Sequence, residues 1–176
     1  NAGQLVPTEQ ASVASKPRAA PRHATFHPSL PILYINNEID STVSVFQWDA
    51  ATGRILENQV VSTIPHGHDG RNTTSEMAIT PCGRFLYVSN RGQDSVALFQ
   101  VASGSGQLTY SGHTPTGGRT PRFFALDPTA QLLFAANQDS DDIMGFRIDQ
   151  ATGVLAPIGV VARTGSPSAI SFVDGS

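Results

Sequence analysis

Glu38, Arg91 and Gln138 occupy one equivalent place in three near-copies of a repeated unit, each directly after an asparagine (Asn37, Asn90, Asn137). A constant frame that holds a different polar group in each copy is how a site shows itself in a repeat. A second equivalent region holds Arg22-His23, Ser75-Glu76 and Arg122-Phe123. Arginine presents a forked donor that suits carboxylate or phosphate. A glutamate or histidine can carry a proton. Arg22, Arg91, Arg122, Glu38, Glu76, His23 and Gln138 together suit a small anionic substrate better than a protein ligand. Only 14% of the 176 residues are charged, so their collection here is unlike chance. The plainer reading is that individual Arg–Glu pairs merely tie neighbouring units together.

The frame around these residues is strict. Pro28, Pro81 and Pro128 mark the three units, 53 and then 47 residues apart. An aromatic follows each proline by six (Tyr34, Tyr87, Phe134), a branched aliphatic by fifteen (Val43, Val96, Ile143) and Phe by eighteen (Phe46, Phe99, Phe146). Gly follows by twenty-five (Gly53, Gly106, Gly153) and an aliphatic by twenty-seven (Ile55, Leu108, Leu155). Alternating Val, Ile, Phe, Tyr and Thr fit half-buried pleats, and no helical period is sustained.

The pattern predicts four short strands per unit: Arg22–Phe26, Ile32–Ile35, Thr42–Trp48 and Asn58–Ile64 in the first, with Asn36–Asp40 as a loop. The second reads Glu76–Ile79, Phe85–Ser89, Ser95–Val101 and Leu108–Gly112. The third reads Phe123–Leu126, Leu132–Ala136, Asp142–Ile148 and Ile158–Ala162. Pro65–Thr74 and His113–Thr120 are the connecting loops. Four strands repeated at this period describe β-propeller blades, whereas an antiparallel sandwich needs no in-register repeat. The fold class is therefore all-β, with blades over residues 21–66, 67–114 and 115–164.

Gly3 and Leu5 are spaced like Gly53 and Ile55, so residues 1–20 are expected to be the tail of a preceding blade, with a strand near Ala11–Ala14. Pro167 matches Pro21 and Pro121, so residues 165–176 are expected to be the innermost strand of a closing blade. Three complete blades leave open edges, which invite association. The expectation is a partial propeller that needs further N-terminal blades or a second copy.

In a four-strand meander, the start of the first strand and the end of the second lie at one end of the blade. With the first strand nearest the axis, Arg22, His23, Glu76 and Arg122 converge with Glu38, Arg91 and Gln138 on one mouth of the channel. Pro28, Pro81 and Pro128 fall at the other. The repeated asparagines read as structural caps, because Asn bonds its own backbone and tolerates left-handed geometry.

Composition bounds the rest. A net charge of −3 and a pI near 5.9 give no nucleic-acid or acidic-membrane footprint. No apolar run approaches the roughly 20 residues of a membrane span. The single Cys82 excludes an intrachain disulfide and a cysteine zinc site. Residues 1–15 have no basic start and no long apolar core, so no signal peptide is expected and the expected location is cytoplasmic. His66-Gly67-His68-Asp69 reads as a solvated loop rather than a metal site. Trp48-Asp49 occurs once, so it is not a repeat signature, and Trp48 is expected to pack between blades. Gly117-Gly118 precedes no helix and is not a phosphate loop. No cofactor is implied.

Several long stretches carry a specific resemblance: PRHATFHP, LYINNEIDSTVSVF, SEMAITPCGRFLYVSNRGQDSVALFQV, TPRFFALDPTAQLLFAANQDSDDIMGFRID and SPSAISFV. In this order they resemble the seven-bladed propeller lactonase family, over nearly all of Arg18–Val173. That family includes propeller-type 6-phosphogluconolactonase and carboxymuconate-lactonizing enzyme.

The resemblance places the chain as the C-terminal half of such a propeller. It implies chemistry on a lactone without a required metal, with Arg22 of the PRH motif and Glu38 of the NE motif in the site. A further family Arg corresponds to Arg91 or Arg122, and a family His lies on an earlier blade. Glu38 or His23 could activate water. Arg22 with Arg91 or Arg122 could hold the oxyanion or a substrate anion. The implied reaction is hydrolysis of 6-phosphogluconolactone to 6-phosphogluconate. The alternatives are a carboxymuconate-type cycloisomerase and a non-enzymatic binding propeller.

Overall fold

The computed structural model describes residues 3, 8–10 and 12–173. Among these, every regular element is a strand. Blade I comprises β1 (Pro21–Phe26), β2 (Ile32–Asn37), β3 (Thr42–Asp49) and β4 (Arg54–Ser62). Blade II comprises β5 (Thr73–Ile79), β6 (Phe85–Arg91), β7 (Ser95–Val101) and β8 (Leu108–Pro115). Blade III comprises β9 (Pro121–Leu126), β10 (Leu132–Asn137), β11 (Asp142–Ile148) and β12 (Leu155–Arg163). Each blade is a four-stranded antiparallel meander in chain order. The inner strand β5 neighbours both β1 and β9, as successive strands around an axis must.

Side-chain alternation builds the core. In β6, Leu86 and Val88 face blade I, where they join Tyr34, Val43 and Val45. Phe85 and Tyr87 face blade III, where they join Phe124, Leu133 and Phe146. Blade II is covered on both faces, so its central strands β6 and β7 are buried along most of their length. At about 1.5–3 kcal/mol for each large apolar side chain taken from water, these two inter-blade layers are the main stabilising term.

The repeat's constant aromatic and glycine are one device. Tyr34 donates its hydroxyl to the carbonyl of Gly106 (2.8 Å), and Tyr87 donates to that of Gly153 (2.7 Å). Each bond links a blade to the next. Gly106 has φ +68°, and a Cβ there would stand 2.7 Å from Ile32 Cγ1 and 3.1 Å from the Tyr34 hydroxyl. Only glycine meets both demands. Phe134, in blade III, has no hydroxyl and packs on Phe172, with ring centroids 5.8 Å apart.

Several expectations need correction. The outer strands β4 and β12 begin at Arg54 and Leu155, earlier than expected, because the turns before them are tight: Gly53 N–H bonds Asp49 O, and Gly153 N–H bonds Asp149 O. β8 runs to Pro115, so the boundary set at 114 falls inside it. β5 begins at Thr73, inside the expected loop. The repeated asparagines are not left-handed turn residues. Asn37 and Asn137 end strands, Asn90 is next to last in β6, and all three are buried. The left-handed residues are Ser41, Asp94 and Asp141, four further on (φ 56°, 52° and 57°). The asparagine amides cross-link instead: Asn37 to Thr42 and Ser44, Asn137 to Asp142, and Asn90 to the carbonyl of Thr63. Trp48 packs on Phe26 of its own blade (4.8 Å) and shares a cleft with Gln10.

Ala11 and Leu5 lie outside the described residues, and residues 12–14 form no strand. The tail character shows at Gln10 instead. Its amide exchanges two bonds with the backbone of Ile55 (2.7 and 3.2 Å), as Gln59 of β4 does with Leu108 (2.8 and 2.8 Å). Residues 167–173 pair with no strand, and 174–176 lie outside the described residues. An inner strand becomes a strand only through a ladder with its second strand.

Candidate active site

Each inner strand is interrupted at the same place, where the channel mouth begins. β1 pairs Pro21 with Asn37 and His23 with Asn36, leaving Arg22 as the extra residue. β9 pairs Pro121 with Asn137 and Phe123 with Ala136, leaving Arg122. β5 pairs Thr74 with Asn90 and Met77 with Val88, so Ser75 and Glu76 share the gap. A bulge re-aims a side chain out of the ladder. Here it does so at three equivalent positions, six residues before each unit proline. Ala20 and Thr120 enter their strands left-handed (both φ +56°), a strained geometry that accumulates at functional sites.

The bulge brings the predicted residues together. Glu38, just past β2, faces Arg22 Nε at 3.5 Å and accepts a bond from Arg91 Nη2 at 2.5 Å. Arg22 Nη1 donates to the carbonyl of Ser75 (2.5 Å), and Arg91 Nη2 also donates to that of Thr74 (3.1 Å). Beside them, His23 Nδ1 stands 3.7 Å from Glu76 Oε1. The Glu76 side chain is only 11% exposed, and the His23 side chain 41%. Burial pushes the Arg22 guanidinium below its ordinary value. Arg91 adds to that push, Glu38 and Glu76 oppose it, and Arg122 adds a little more.

Two predicted members stand differently. Arg122 is present through its backbone, since Ser75 Oγ donates to its carbonyl (2.5 Å). Its guanidinium has no ion pair or hydrogen bond among the described residues. The side chain of Gln138 forms no hydrogen bond with the cluster. Its backbone N–H instead bonds Thr120 O (2.9 Å).

The sequence reading missed the residues that hold the site in place. Ser75, fully buried, links three blades: its carbonyl holds Arg22 of blade I and its hydroxyl holds the backbone of Arg122 of blade III. Asn36 accepts from His23 N–H and donates to Thr74 Oγ1 and Ser75 O. Ser89, at the equivalent place in blade II, accepts from Glu76 N–H (2.9 Å). The signal was available: a polar residue precedes the repeated Asn in blades I and II, where blade III has Ala136. Arg71 was also missed. With Asn72, Thr73, Arg91, Gly92 and Thr120 it lines a cleft of about 430 Å³ beside the cluster. Among the described residues no group of three His, Cys, Asp or Glu side chains is placed to hold a metal ion.

A model of the family described as "Lactonase, 7-bladed beta-propeller" matches residues 1–172. The chain belongs to the seven-bladed β-propeller lactonase family. It is 40% identical over 114 residues to a 6-phosphogluconolactonase of Pectobacterium carotovorum, covering 65% of this chain and 34% of that protein. It is 38% identical over 117 residues to the Bacillus subtilis 6-phosphogluconolactonase, covering 66% and 34%. Among solved structures, a periplasmic gluconolactonase of Pseudomonas aeruginosa superposes with a TM-score of 0.88 at 32% identity, covering 95% of this chain and 46% of that one. A Lactobacillus plantarum protein superposes with a TM-score of 0.84 at 29% identity, covering 88% and 45%. The chain thus spans about a third of the curated relatives it matches and under half of these solved chains.

Proposed function

We propose that these blades carry one wall of a lactonase site that opens an anionic sugar lactone, with 6-phosphogluconolactone as substrate and 6-phosphogluconate as product. The observation that carries the reading is the carboxylate of Glu38 held between the guanidiniums of Arg22 and Arg91 at the channel mouth. Hydrolysis adds water to the lactone carbonyl, collects negative charge on its oxygen, and then breaks the ring C–O bond. A base must take the water's proton, and cations must meet the oxyanion. Arg22 and Arg91 supply the cations. Glu38 spends its lone pairs on them, so its role is to aim those two donors. His23 is the group on these blades free to take the proton, and Glu76 Oε1 stands 3.7 Å from its Nδ1. The proton then passes to the departing ring oxygen.

The open faces of blades I and III are where further blades complete the channel. Among the described residues no helix is long and apolar enough to cross a membrane.

The test is ring opening of 6-phosphogluconolactone by the protein at its natural length, followed against spontaneous hydrolysis. A rate well above background is expected, and Arg22→Ala is expected to abolish it. A wild-type rate equal to background refutes the proposal.

A further inference from the structure

A second polar pair crosses the same blade boundary as Glu38 and Arg91. His23 follows the bulge residue of β1, and Glu76 follows Ser75 in the gap of β5. The two therefore leave equivalent positions of neighbouring inner strands. Each is rooted in the same way, by a polar side chain of its blade's second strand. His23 N–H donates to Asn36 Oδ1 (2.9 Å), and Glu76 N–H donates to Ser89 Oγ (2.9 Å). The Glu76 carboxylate is fixed further, because its Oε1 accepts from Met77 N–H (2.9 Å).

A buried carboxylate calls for a partner. The arginines beside it are turned elsewhere: Arg22 to Glu38 and the Ser75 carbonyl, Arg91 to Glu38 and the Thr74 carbonyl. Among the described residues the ion-pair neighbour of Glu76 is the imidazole of His23, with Oε1 3.7 Å from Nδ1. That exceeds a hydrogen bond by about 0.7 Å, and catalytic contacts of this kind tighten when substrate fills the site. The His23 ring forms no hydrogen bond among the described residues, so Glu76 is the group placed to decide which ring nitrogen carries hydrogen. A carboxylate can only accept. Facing Nδ1, it selects the form with hydrogen there and leaves the lone pair on Nε2.

We propose that Glu76 is a positioning residue for His23, holding the imidazole in its Nδ1–H form so that Nε2 receives the proton of the attacking water. The inference rests on the lactonase reading above and deepens it, by naming the atom that takes the proton and the group that orients it. The water oxygen adds to the lactone carbonyl carbon and its proton moves to Nε2. That proton leaves with the ring oxygen as the ring C–O bond breaks, and His23 returns to its neutral Nδ1–H form. Blade III has Phe123 at the equivalent position, which can neither orient nor carry a proton, so the pair belongs to the boundary between blades I and II.

The experiment uses protein of natural length with isotope-labelled histidine. Nitrogen NMR of the neutral ring reports which nitrogen of His23 carries hydrogen, and its signals are identified by their loss in His23→Asn. Wild type is expected to show Nδ1–H. Glu76→Met, similar in length but without oxygen, is expected to show Nε2–H, the form a histidine side chain prefers in water. Wild type in the Nε2–H form overturns the inference without any variant. In lactone hydrolysis Glu76→Met is expected to lower kcat about 100-fold or more, the value of a general base, with KM little changed. An unchanged kcat overturns the inference. If Glu76→Met fails to fold, Glu76→Gln replaces it, since one oxygen remains for Met77 N–H. It is expected to show both ring forms and a smaller fall in kcat, and no change in either overturns the inference. If wild type opens no lactone, the lactonase reading fails by itself. The spectra then decide the orienting role: different ring forms in wild type and variant support it, and the same form in both overturns it.

Discussion

Glu38→Gln changes almost no volume and removes one charge, which makes it the sharpest probe of the site. The carboxylate faces Arg22 Nε at 3.5 Å and accepts from Arg91 Nη2, across two blades. At 3.5 Å and an effective dielectric near 20, one such pair is worth about 5 kcal/mol before desolvation. Desolvation and screening remove most of that, because the Glu38 side chain is 34% exposed. Glutamine keeps one acceptor oxygen for one arginine and leaves Arg22 and Arg91 to repel each other. The net loss is therefore about 1–3 kcal/mol of stability, at roughly 2–4 °C of Tm per kcal/mol for a chain of this size.

Activity is expected to fall much further. If Glu38 aims the two oxyanion donors, losing that alignment costs about 100- to 1,000-fold in kcat, as removal of an oxyanion donor does. The assay is lactone hydrolysis beside thermal unfolding, on protein of natural length. A variant that melts lower but keeps its kcat makes Glu38 an inter-blade tie and nothing more. A variant unchanged in both refutes the reasoning outright.

Three further outcomes follow from the same geometry. Gly92→Ala is expected to destabilise by about 2 kcal/mol or more, read as a urea midpoint. Gly92 sits at φ +114°, and its new Cβ would collide with the carbonyl of Arg71, narrowing the cleft beside Arg91. Tyr87→Phe is expected to cost about 1–2 kcal/mol through loss of its bond to the buried Gly153 carbonyl, with no change in kcat. Acid is expected to destabilise the fold below about pH 4. Asp49 is held below its ordinary 3.8 by the Thr52 hydroxyl, and Asp149 by the Thr152 N–H. In Asp127, partial burial pushes upward but is outweighed by bonds from Thr129 and Leu132. Groups with depressed values stabilise fully above 3.8 and lose that contribution as pH falls through the lowered values. A stability curve flat between pH 5 and pH 2.5 would contradict this.

The blade architecture was legible because its constraints are local and repeated. A Tyr six residues after the proline and a Gly nineteen beyond it recur because one bonds the other across a blade boundary, as Tyr34 does with Gly106. Strand ends were less legible. Outer strands β4 and β12 are solvated over much of their length, so no alternation marks where they begin. Ser75 was placed in the second equivalent region but given no role, because a serine in a strand carries no pattern of its own. Its importance lies in which blades its two oxygens touch, and that is set by packing rather than spacing.

The residues at the variable slot after the asparagine pair with each other in two copies and not in the third, and the reason is directional. Glu38 finds its partner one blade onward, at the same slot: Arg91 turns back toward it and away from Gln138. Opposite charge at adjacent copies decides that turn, because Arg91 gains a charge-assisted bond from Glu38 and would gain only a neutral one from Gln138. The bulge residues follow the same rule, with Arg22 reaching forward to the Ser75 carbonyl. Blade II therefore completes the polar cluster begun by blade I. The partner of Gln138 is then to be sought at the slot of the blade that follows blade III. The cations of the site converge not because each strand aims inward alone, but because neighbouring copies of one bulged unit lock in sequence around the axis.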